Sequence, residues 1–265
     1  MATVAVTSSS FERALSVTEW HARSYKRTWR ATITTAFLNP IFFLLSIGVL
    51  LGTLVDRSDP DLGGLTYLEF VAPALVAATA MQTAASVTTF PVKAGLKWLR
   101  TYHAVVATPV RVRELVAGVL VWAGVRVVVA CVLFVIVAAI GGAFTSPLAV
   151  LSPLAGLLCG LAFAAGLAAV SSGTDADQWL VAIFRFVLVP LFLFSGTFFP
   201  IEQLPEWIQP LAWLTPLWHG VELSRSLATG NVDPLLAAVN VVYLVAFTFV
   251  GAAFAVRACE QRLRK

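Results

Sequence analysis

Residues Phe194 to Arg225 read FSGTFFPIEQLPEWIQPLAWLTPLWHGVELSR, a segment that opens as the end of a long apolar run. Prolines follow at Pro200, Pro205, Pro210 and Pro216. Each removes a backbone donor and crowds the turn before it, so no single helix continues through them. A solvated loop would not gather Phe198, Phe199, Trp207, Trp213 and Trp218. Short proline-broken helices rich in Trp belong at a membrane–water boundary, where an indole sits half wet. Pro205-Glu206 reads as one helix start, with proline first and an acid in the positive first turn. Thr215-Pro216 reads as a second start, closed by Gly230. The expected shape is a bent helical hairpin, residues 200–230, that re-enters one face of a bilayer. A loop lying flat on the lipid is the alternative.

Composition places the rest of the chain in the same solvent. Of 265 residues 59% are hydrophobic and only 12% charged, with a mean hydropathy of +0.87. A water-soluble domain could not cover that much apolar surface. Cys131, Cys159 and Cys259 fall in apolar runs or near the chain end, so neither a disulfide nor a metal cluster is expected. The net charge of +4 is better explained by membrane topology than by nucleic acid.

Working outward, the uncharged runs 31–55 and 70–92 are each long enough for the roughly 20 residues a crossing needs. The run 127–174 is too long for one helix and is divided by Gly141-Gly142 and Pro147. An all-α fold of six spans is expected, at about 31–55, 68–90, 115–140, 148–170, 179–199 and 235–256. A segment 1–30 precedes them and a tail 257–265 follows. Fourteen of the eighteen Lys and Arg fall in three places: residues 13–30, the 91–113 loop and the tail. The positive-inside rule then makes both termini and the 91–113 loop cytoplasmic, with the proline hairpin outside.

Two flanking segments carry further signals. Ser9 and Glu12 have capping-box spacing, and Phe11, Leu15, Thr18, Ala22, Tyr25 and Trp29 recur at helical spacing among basic residues. That predicts a basic amphipathic helix lying along the membrane surface; a solvated charged tail is the alternative. In the 91–113 loop, Lys93, Lys97 and Arg100 share one helical face beside Trp98. A short basic helix there suits anionic lipid or a cytosolic partner equally.

Catalytic signals are poor. No G-x-x-x-x-G-K phosphate loop is present. His219 and Glu222 at i, i+3 lack a nearby third ligand, and are expected to order the second hairpin helix by hydrogen bonds. Arg126, with Trp122 one turn earlier, falls near mid-bilayer, where a charge costs about 2.5–3.5 kcal/mol. It either touches cargo in transit or makes a structural bond. Arg185, nearer its cytoplasmic end, can snorkel. Phe198 and Phe199, aimed by Pro200, either close the outer end as a gate by excluding water or anchor the hairpin in lipid.

TYHAVVATPVRVRELVAG (Thr101 to Gly118) and LFLFSGTFFPIEQLPEWIQPLAWLTPLWHGVELSR (Leu191 to Arg225) resemble the membrane subunit of type-2 ABC exporters. Within it, the permeases of nodulation lipo-oligosaccharide exporters are the most similar subgroup. The resemblance implies a permease homodimer with two copies of a separate ABC ATPase, which would hold the ATP and Mg. It makes residues 91–103 a coupling helix, with Lys93, Lys97, Trp98 and Arg100 at the ATPase, and makes the hairpin an external re-entrant element. The expected function is ATP-driven export of an amphipathic molecule, a glycolipid or lipo-oligosaccharide ahead of a drug or antibiotic. An ATP-independent transporter or scaffold is the reading from another class.

Overall fold

The computed structural model describes residues 9–26, 41–46 and 64–264. Every regular element among them is helical. α1 is Ser10–Tyr25, and α2 is Tyr67–Lys93, extended by a π-turn over Ala94–Trp98. α3 (Thr101–Val106) leads into α4 (Val112–Ile140). A 3-10 turn, Pro147–Leu151, opens α5 (Ser152–Gly173). α6 (Asp177–Ile183) runs through a π-turn, Phe184–Leu188, into α7 (Val189–Phe194). α8 is Gln209–Trp213, α9 Pro216–Thr229 and α10 Pro234–Leu263. Five of these stretches are long and apolar enough to cross a membrane: α2, α4, α5, α6–α7 and α10. The first expected span lies outside the described residues except for 41–46. Those are helical, and Phe43 meets Phe192 of α7 edge-on.

α5 is the centre, touched by α2, α4, α9 and α10. Its sequence, with Ala155, Ala162, Ala164 and Ala165 all buried, explains why. In lipid an apolar face gains nothing by leaving one hydrocarbon for another, so helices associate where small side chains let backbones approach. The α6–α7 span contrasts with this: it is little buried, with Phe186 77% exposed. Its π-turn has a local cause. The Pro190 ring would collide with the Phe186 carbonyl in a regular helix, and the widened turn removes that collision. The span ends at Phe194 rather than at 199.

The hairpin follows its prolines only in part. Thr215 accepts the Trp218 amide and caps α9 as expected, and Gly230 ends it with φ +77°. No helix starts at Pro205, however. Ile201–Gln203 forms a 3-10 turn, residues 205–208 a simple turn, and α8 begins only at Gln209. A helix from Pro205 would carry Pro210 in its interior; starting at Gln209 puts that proline in the first turn, where it is tolerated. α9 inserts between α2 and α5, so tightly that a Cβ at Gly220 would lie 2.7 Å from Cys159.

α1 departs from the expected helix lying flat on the membrane. Its capping box forms between Ser9 and Glu12, but successive turns meet successive turns of α4. Arg13 pairs with Glu114 at 2.8 Å, Thr18 Oγ1 donates to the Gly118 carbonyl at 3.1 Å, His21 stacks on Trp122 and Tyr25 lies under Arg126. α1 therefore runs alongside the first four turns of α4. Val17 is its buried residue, while Phe11 and Leu15 of the expected stripe face outward. Gly118 permits the contact: a Cβ there would come 2.6 Å from that of Val17.

Candidate functional site

The end of α2 forms a braced corner. Lys93 is fully covered and donates to the Thr174 carbonyl just beyond α5, with Asp177 at 3.9 Å. Lys97 donates to the Asp175 carbonyl at 3.0 Å and pairs with Asp177 at 3.4 Å. Arg262 of α10 pairs with Asp175 at 2.6 Å. Three cations from two helices thus hold the α5–α6 connection. Beyond them projects a tip of Trp98, Leu99 and Arg100, all exposed, with Arg100 in the left-handed region at φ +51°. Tyr102 packs beneath it against Gly95, and burial pushes its phenol up. The expected outward basic face is corrected in one member. Lys93 lies a turn nearer the bundle and points inward, leaving Lys97 and Arg100 outside with Trp98.

Arg126 and Trp122 belong to the α1–α4 seam. The Arg126 guanidinium lies 4.1 Å over the Tyr25 ring, a cation–π contact. Trp122, one turn before Arg126, meets Tyr25 at 5.6 Å and lies parallel to His21 at 6.4 Å. The Arg126–Tyr25 contact ties α1 to α4 at this depth. His21 is enclosed among these rings, and burial pushes its imidazole down to about 4. Arg185 is exposed on the uncovered α6–α7 face.

At the far end Arg225 organises the hairpin, a role that the sequence reading missed. It donates to the Gly196 carbonyl at 2.7 Å, lies 4.0 Å over the Phe70 ring and has Glu222 at 3.8 Å. An arginine following a glutamate by three residues inside an apolar stretch was the available signal. His219 and Glu222 therefore have separate partners. His219 Nδ1 donates to Asn240 of α10 at 2.7 Å and stacks on Tyr243 at 3.8 Å; the Tyr243 hydroxyl donates to the Leu214 carbonyl. Phe198 and Phe199 also part. Phe198 packs on Phe192 at 5.0 Å, against the main core. Phe199 joins a small cluster inside the hairpin with Ile201, Leu204 and Ala212. Pro200 follows them and opens the 3-10 turn.

Comparison with known proteins defines the class of this apolar helical bundle. Residues 13–228 match the family model described as ABC-2 type transporter. The chain belongs to that family, whose members are membrane components of transporters. Nodulation protein J of Rhizobium leguminosarum bv. trifolii is 30% identical over 209 residues, 78% of each chain. Nodulation protein J of Bradyrhizobium diazoefficiens is 33% identical over 203 residues, 74% of this chain and 75% of that one. The inner membrane transport permease YadH of Escherichia coli K12 is 26% identical over 233 residues, 84% and 86% of the two chains.

Proposed function

We propose that this chain is the permease of an exporter that moves an amphipathic molecule, a glycolipid or lipo-oligosaccharide, outward across the plasma membrane. A separate ABC ATPase, in two copies, supplies the energy and holds the ATP and Mg. The observation that carries this reading is the braced corner. The Trp98–Arg100 tip offers a partner an apolar and cationic surface, and the Lys97–Asp177 and Arg262–Asp175 pairs tie it to α6 and α10. A push on the tip is thereby delivered to several spans at once rather than lost in a loose loop. α6 leads into the uncovered α6–α7 face, which suits contact with a second copy of the chain and places Arg185 where the two would meet. The basic corner and both termini lie in the cytoplasm on this reading, by the positive-inside rule.

The test is co-expression with an ATPase bearing a phosphate loop. The pair should co-purify, and ATP should drive export of a labelled lipo-oligosaccharide. Lys97→Glu with Arg100→Glu should leave the chain folded while lowering coupled transport by about tenfold or more, since it reverses two charges at the contact. Transport unchanged in that variant, or ATP turnover by the chain alone, would refute the assignment.

A further inference from the structure

α4 and α10 both pack on α5 but part from one another, leaving a groove of about 1350 Å³ whose floor is Leu157 and Leu161. Its walls are aliphatic and aromatic, Val121 and Val125 on one side and Phe249 and Ala253 on the other. The hydroxyl of Thr248, also in the lining, is already donated within its own helix to the Leu244 carbonyl at 2.8 Å. Away from the charged residues at one end, a sugar or a peptide would therefore find few polar partners in it. From Arg113 to Val129, the lining spans about 24 Å along α4 at 1.5 Å per residue. One leaflet of hydrocarbon is about 15 Å deep, so the groove accommodates acyl chains with their headgroup at its end.

That end is marked by charge. Arg113 of α4 and Arg257 of α10 stand at the same rim, both exposed, with Glu260 beside them. Neither arginine has an ion pair or hydrogen bond among the described residues, whereas Arg13, Lys93, Lys97 and Arg262 are all engaged. Two unpaired arginines and one carboxylate leave the rim with a net single positive charge. A guanidinium offers paired donors that match two oxygens of a phosphate.

Residues 41–46, the described part of the first expected span, pack with the core of α2 and α7 and do not line the groove. A second copy is also disfavoured as occupant. Two copies sharing a membrane orientation are related by an axis along the bilayer normal, so each Arg113–Arg257 rim would meet its own like charges at the same depth.

We propose that the α4–α10 groove is a binding site for one anionic phospholipid of the leaflet beside the braced corner. Its phosphate lies between Arg113 and Arg257 and its acyl chains along Val125 and Phe249. This site is separate from the corner and from the hairpin, and stands whether or not the cargo proposed above is right. Only the name of the leaflet, cytoplasmic, rests on the proposed orientation.

The purified full-length chain in detergent is titrated with phosphatidylglycerol, phosphatidylethanolamine or phosphatidylcholine of matched acyl chains, with bound lipid counted by native mass spectrometry. Phosphatidylglycerol should bind about tenfold more tightly than the other two, since each basic residue contributes about a factor of five toward an anionic lipid and Glu260 offsets part of it. Arg113→Gln with Arg257→Gln should abolish that preference, and Arg113→Lys with Arg257→Lys should keep most of it. Ala117→Phe with Ala253→Phe, which fills the groove and leaves the arginines in place, should weaken all three lipids. Equal binding of the three lipids to the parent chain would overturn the site. So would a glutamine variant that keeps the preference, or a filled groove that binds as before. Disulfide cross-linking of Val125→Cys between two copies in the membrane would make the groove an interface instead.

Discussion

Lys93 reaches the Thr174 carbonyl from inside the bundle, while Lys97, one turn on, keeps nearly half of its side chain in solvent. A covered ammonium that loses its acceptor, or is replaced by a carboxylate facing Asp177, costs about 1–3 kcal/mol or more, whereas an exposed pair is worth about 0–1. Lys93→Glu should therefore lower the thermal midpoint of the purified chain by several degrees, and Lys97→Glu should leave it nearly unchanged. Thermal unfolding of the two single variants separates the strut from the contact. His21 gives the same residue-by-residue logic a pH axis. Its imidazole is held near 4 when α1 is docked and near 6.5 when free. Between those values the undocked helix binds a proton that the docked one refuses, so docking weakens as pH falls through that window. Proteolysis within α1 should be faster at about pH 5 than at pH 7. His21→Phe should flatten the profile; a profile equally steep without the imidazole would place the titrating group elsewhere.

Among the elements, α1 is held to α4 across a contact only as wide as Gly118 allows. Gly118→Leu should expel α1 and leave the five long helices in place. Cleavage sites in α1 would open to protease, while the fragment carrying α2 to α10 keeps its thermal transition. A uniformly unfolded variant would mean that α1 is integral to the bundle. The sequence made much of this scale legible, because helix ends are local chemistry. Ser9–Glu12, Thr215–Pro216 and Gly230 act where their spacing places them, and the long apolar runs among the described residues become long helices. What stayed hidden depends on neighbours distant in the chain. Nothing near Lys93 announces that Thr174 will stand beside it, and nothing near Arg126 announces Tyr25. Phe198 and Phe199 read alike as adjacent rings, yet one packs on the main core and the other turns into the hairpin, just before Pro200 opens the 3-10 turn. The α1 stripe failed for a related reason. With an apolar medium on one side and α4 on the other, the face chosen for burial is the one that fits beside Gly118, not the greasiest.

Across the whole molecule, the ties between distant segments divide by kind. At the corner they are ionic: Arg262 with Asp175, and Lys93 and Lys97 with Asp177. At the opposite end, where the α4–α5 turn meets the end of α9, the Ser146 amide and the Thr145 hydroxyl both donate to the Ala228 carbonyl, at 3.1 and 3.3 Å. Dissolved salt distinguishes the two fastenings. The screening length shrinks from about 10 Å at 0.1 M to about 3 Å at 1 M, and the Asp175 carboxylate is almost wholly open to those ions. A neutral amide–carbonyl bond is indifferent to them. Raising ionic strength should therefore speed amide exchange around residues 174–178 by about threefold to fivefold, the worth of one or two exposed pairs, and leave residues 144–148 unchanged. Salt thus loosens the clasp at the tip and spares the one beside the hairpin, so a concentrated wash would slacken the bundle from one side of the membrane only.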